Sequence, residues 1–186
     1  MKNTKKLALS AIMAALSVVF ISLGELSGIA ELAIAAFCSL IVVFIHAEVG
    51  SPYQYLLWIT VSVLMALLFF GGFGWITYFL LFGIYPIIRH YIAKLPPLFG
   101  WVAKLVYFNI ALIILMLVSE LITGVPLFSL GEINIEGDNQ EFIENMIKAG
   151  LYLLCNAAFV IYDIFLKVMI RFYFERLRAR FARFLK

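Results

Sequence analysis

The stretch KKLALSAIMAALSVVF, residues 5–20, decides how the rest of the chain is read. Lys5 and Lys6 give way to an apolar run that continues from Leu7 to Gly24. A helix needs about 20 such residues to cross a bilayer. A secretory signal peptide opens in the same way. Here no short apolar core ends at a clear cleavage site, so the run reads as a retained first span. Within it Ala8, Ala11 and Ala15 recur at helical spacing, and Ser10 and Ala14 form an adjoining row. Contact with lipid asks for no small residues. Helices in a bilayer associate through close packing, and small side chains allow it. The two rows therefore mark a face for another helix, either of this chain or of a partner.

Composition extends that reading to the whole chain. Of its 186 residues, 65% are hydrophobic and 13% charged. A soluble domain is nearer half apolar and about a quarter charged. The mean hydropathy of +1.07 agrees. The expected fold class is an all-α polytopic membrane protein: one membrane domain over residues 1–186, with about six spans and no soluble domain. The predicted spans are 6–23, 29–46, 53–70, 75–91, 102–122 and 142–172. Gly24 to Gly28, Gly50 with Pro52, GGFG (71–74), KLPPLFGW and the acidic GEINIEGDNQ mark the breaks between them. From Arg171 to Lys186, Phe174, Leu177, Phe181 and Phe184 alternate with Arg176, Arg178, Arg180 and Arg183. That pattern predicts a basic amphipathic tail suited to anionic lipid headgroups.

Charge gives the sidedness. Lys2, Lys5, Lys6, Arg89, Lys94, Lys104 and the tail fall on one side of a six-span chain. Glu25, Glu31, Glu120 and the acidic loop fall on the other, with Lys148 beside them. The positive-inside rule then places both termini of this multi-pass chain in the cytoplasm.

Ionisable and polar residues within spans are functional candidates, because burying them is costly. Asp163 and Lys167 stand four apart, where they can pair. Asn109 and Asn156 must each find a hydrogen-bond partner, either a neighbouring helix or a ligand. Trp75, Tyr78, Glu120, Lys148 and Tyr152 join them as candidate substrate-binding residues on the outer half. Aromatic rings with a few polar groups suit a small, flat organic ligand. The same Trp and Tyr residues also suit the interfacial belt. Cys38 and Cys155 read as small buried hydrophobes. With His46 and His90 as the chain's two histidines, no metal-ligand set forms. There is no phosphate-binding glycine loop and no catalytic constellation. The expectation is a protein that is not an enzyme, with no cofactor, no metal and no nucleic-acid partner.

A short basic N-terminus followed by KKLALSAIMAALSVVF resembles the opening of the substrate-binding S components of energy-coupling factor transporters. The resemblance implies six spans, cytoplasmic termini and an Ala-xxx-Ala contact on the first span with the transmembrane T subunit. In this sequence that contact falls on Ala11 and Ala15, with Ala8 and Ala14 beside them. It further implies ATPase subunits that drive the complex, and a vitamin or other small molecule as substrate. The segments FGIYPIIRHYI and KLVYFN look like those of small bacterial membrane proteins of the same general kind. The alternative reading is a non-catalytic scaffold of a cell-envelope or rod-shape machine. An internal cavity separates the two: a carrier keeps a void between its outer helix halves, and a scaffold fills it with side chains.

Overall fold

The structure, a computed structural model, describes residues 3–28, 30–124 and 140–178. Their regular structure is entirely helical. The helices are α1 (Asn3–Ser27), α2 (Glu31–Glu48), α3 (Tyr53–Leu68), α4 (Phe73–Thr77), α5 (Tyr85–Ile92), α6 (Pro97–Thr123) and α7 (Gln140–Phe172). Among the described residues, four helices are long and apolar enough to cross a membrane: Asn3–Ser27, Glu31–Glu48, Pro97–Ile122 and Asn145–Arg176. Together they make this a membrane-embedded helical protein. The acidic segment 131–139 and the end of the tail, 179–186, lie outside the described residues.

Two packed groups share the bundle. α1 lies against α2 and α3, and Tyr78 and Ile87 complete that core. α6 and α7 close over α4 and α5 around Tyr85, Phe108, Leu112 and Leu166. α2 stands between the groups and touches α3, α4, α5 and α7.

α1 shows why small residues sit where they do. Ser10, Ala14, Ser17, Ile21 and Gly24 are its buried residues. The Ser10 and Ser17 hydroxyls donate back to the carbonyls of Lys6 and Met13, each at 2.9 Å. Each serine is thereby satisfied within its own helix and packs as a small residue. Gly24 is a contact, not a break. A Cβ there would lie 3.1 Å from Ile34 Cδ1, and α1 runs on to Ser27. Ala14 is 6% exposed within the first core. It packs inside the chain, which removes it from the predicted docking row. Ala8, Ala11 and Ala15 are exposed on the other side of α1, among Ile12, Leu16 and Val19.

Predicted span 75–91 is the stretch that departs most from a simple helix. α4 passes through a wide turn, Tyr78–Phe82, before α5 begins. Pro86 accounts for the break. It has no N–H to continue the ladder, and its ring would strike the carbonyl four residues back. The Gly83 N–H bonds to Tyr78 O at 2.6 Å, one residue farther back than in an α-helix. That shift leaves the carbonyl of Phe79 to accept the Trp58 indole N–H of α3 at 3.1 Å. The neighbouring Leu80 carbonyl accepts the Tyr107 hydroxyl of α6 at 2.5 Å. One irregular turn thus ties α3 and α6 together. Only glycine fits at 83, because a Cβ would meet Trp58 Cδ1 at 2.6 Å and Tyr78 O at 2.8 Å.

Two boundaries move for local reasons. α6 begins at Pro97, inside the segment read as a loop, because proline's fixed φ and missing N–H suit the first helical position. The GGFG turn is small for a tertiary reason. The Glu25 carboxylate of α1 accepts the Trp75 backbone N–H at 3.1 Å and so caps α4 from another helix. A Cβ on Gly72 or Gly74 would lie 2.5 or 2.6 Å from a Glu25 carboxylate oxygen.

Candidate functional site

A groove of about 590 Å³ lies between α2, α4, α6 and α7. It lies towards the end of the bundle where α1 turns into α2. Ala36, Phe73, Phe108, Leu112, Ala158 and Phe159 represent its lining, which is almost wholly apolar. Phe108 and Phe159 stack at 4.3 Å with 13° between their planes, giving it a flat aromatic floor. Thr77 contributes a hydroxyl that is already donated to the Phe73 and Gly74 carbonyls, each at 2.9 Å. Tyr162 also lines the groove, and among the described residues its buried hydroxyl has no hydrogen-bond partner. Such a site binds by shape and apolar contact, with one phenol left to orient a polar atom.

None of the predicted substrate-binding residues lines this groove. Tyr78 is fully buried in the α1–α3 core. Trp75 donates its indole N–H to Phe70 O at 3.1 Å and stacks near Phe70. Asn109, Tyr152 and Asn156 do come together, but on one another. Asn109 Nδ2 donates to Asn156 Oδ1 at 3.1 Å, and the Tyr152 hydroxyl donates to Asn109 Oδ1. Both amides also donate to the carbonyl four residues back, Leu105 at 2.8 Å and Tyr152 at 3.0 Å. This cluster joins α6 to α7. Glu120 and Lys148 are exposed on those same helices. The groove residues that sequence reasoning missed are apolar, and an apolar residue in a spanning helix carries no sign of whether it faces lipid, core or cavity.

A second polar cluster lies farther along the same helices. Asp163 of α7 is 2% exposed. It accepts the Tyr85 hydroxyl at 2.6 Å, Arg89 Nε at 2.7 Å and Lys104 Nζ at 2.7 Å. The expected pairing with Lys167 is therefore corrected: Lys167 is exposed, and Asp163 binds α5 and α6 instead. The Asp163 carboxylate points into the bundle, where two cations and a phenol offset its desolvation better than one exposed lysine. Lys104 also lies 4.8 Å above the Trp101 ring.

The chain matches no protein-family model, no curated protein and no solved structure. Among the described residues, no three His, Cys, Asp or Glu side chains gather as a metal set.

Proposed function

We propose that the protein is the substrate-binding subunit of a small-molecule uptake transporter in a bacterial inner membrane. The helical stretches form six spans with both termini cytoplasmic, and α1 couples the protein to a membrane T subunit and its ATPases. The observation that carries this reading is the 590 Å³ groove: a void of ligand size is held open between helices at the end predicted to face outwards. Its lining shifts the expected ligand from a polar vitamin towards an apolar or aromatic molecule. The exposed Ala8, Ala11 and Ala15 support a contact for a partner helix, since among the described residues no helix covers them. Basic residues at one end, and Glu25, Glu31 and Glu120 at the other, support the orientation.

One observation favours the scaffold reading. Asn109, Asn156 and Asp163 are spent on holding helices together. The groove remains open all the same.

The test is to fill the groove. Ala158→Trp places a large ring in its wall. Small-molecule mass spectrometry of protein purified from native membranes is expected to find an apolar metabolite with the wild type and to lose it with Ala158→Trp. Recovery of membrane lipid alone in the wild-type protein contradicts the proposal.

A further inference from the structure

The opposite end of the bundle holds a second cavity, about 330 Å³, where α2, α5 and α7 meet. One wall is apolar, from Val43, Ile87 and Phe174. The other carries Arg89, His46 and His90. The chain's two histidines lie here with ring centroids 4.5 Å apart.

Among the described residues, the ionic cluster beside this cavity does not balance. Arg89 and Lys104 share the single carboxylate of Asp163, so two cations against one anion leave one positive charge. The three side chains are only 14%, 13% and 3% exposed. Arg89 uses its Nε on Asp163, and among the described residues its terminal nitrogens make no hydrogen bond. Among the described residues, His46 Nδ1 is also buried without a partner. The nearby acid, Glu48, is engaged by the Tyr173 hydroxyl at 2.8 Å and Arg178 Nε at 3.3 Å. A guanidinium in excess of its carboxylate and an imidazole nitrogen without a partner, both on residues lining one cavity, suit an anion with several acceptor oxygens.

We infer that this cavity binds the phosphate group of an anionic membrane lipid. Arg89 supplies the fork that meets the phosphate, and His46 and His90 supply further donors. The apolar wall, continuous with Ile170 of α7 and with Phe174 just beyond its end, accommodates the start of an acyl chain. That wall favours a lipid over free phosphate, and basic pockets between spanning helices suit such headgroups. The inference does not depend on the small-molecule reading of the groove.

Native mass spectrometry of the full-length protein in neutral detergent tests it, with phosphatidylglycerol and phosphatidylcholine of matched acyl chains as probes. The expected result is a preference for phosphatidylglycerol of roughly tenfold or more, the scale of one charge-assisted hydrogen bond. Arg89→Gln is expected to abolish the preference while leaving Asp163 one cation. Ala93→Trp alters no charge and fills the cavity from its edge. It is expected to give the same loss, which separates this site from the basic tail and stands even if Arg89→Gln misfolds. Equal retention of both lipids overturns the inference, as does a preference that survives Ala93→Trp. Displacement of lipid by millimolar inorganic phosphate, whatever the acyl chain, overturns the lipid assignment in favour of free phosphate.

Discussion

Asp163 shows what one residue can and cannot disclose. A carboxylate within an apolar helix announces itself, because it must find a partner. The sequence offers Lys167 on the same helix, since pairs four apart are the contacts that can be read without a fold. The partners turn out to be Arg89 and Lys104, far away along the chain. Removing the carboxylate leaves two poorly solvated cations side by side. Asp163→Ala is therefore expected to cost about 3–5 kcal/mol, the penalty for breaking a buried ion pair from one side. Lys167→Ala is expected to stay within about 0.5 kcal/mol, as an exposed substitution. Unfolding in a fixed detergent compares them, and equal losses would restore the Asp163–Lys167 pair. Asn109 and Asn156 were legible as needing partners. That they satisfy each other follows only from the register of α6 against α7.

Among the elements, α1 was the most legible and the Phe73–Ile92 stretch the least. The stripe on α1 divides into two rows by burial. Ser10 and Ala14 face α2 and α3, while Ala8, Ala11 and Ala15 face outwards. Their spacing was visible in the sequence, but which row turned inwards was not. Ala14→Trp is expected to overpack the core and cost about 1–3 kcal/mol. Ala11→Trp is expected to leave stability within about 0.5 kcal/mol, measured by the same unfolding experiment. Glycine carries similar hidden information. Gly83 has Trp58 Cδ1 and Tyr78 O where a Cβ would go, whereas Gly150 within α7 has open space. Gly83→Ala is expected to destabilise by about 1–3 kcal/mol through overpacking. Gly150→Ala is expected to stabilise by up to about 1 kcal/mol through helix propensity. Opposite signs in thermal midpoint confirm the wide turn, and equal signs contradict it. Pro86 marks the irregular turn in the sequence. The carbonyls that the turn presents to Trp58 and Tyr107 cannot be read there, because they depend on which residue's N–H slips back by one.

At the scale of the whole molecule, the helices divide two cavities between the two ends of the bundle. The apolar groove lies towards the α1–α2 turn, and the basic cavity lies where α2, α5 and α7 end. Composition disclosed a helical membrane protein, because only the bilayer accepts so apolar a chain. It could not disclose the groove, whose lining has the same chemistry as a lipid-facing surface. On the function proposed above, α1 presents its outer alanines to the membrane subunit of an ATP-driven complex while the bundle holds the ligand. The most direct measurement is affinity purification of the tagged protein from native membranes in mild detergent, as wild type and as Ala11→Trp, with co-purifying proteins identified by mass spectrometry. The account predicts that the wild type brings down a membrane T subunit with its ATPases, and that Ala11→Trp folds but loses them. Cell-wall synthesis proteins in their place, no ATPase with the wild type, or an unchanged complex with Ala11→Trp would contradict it.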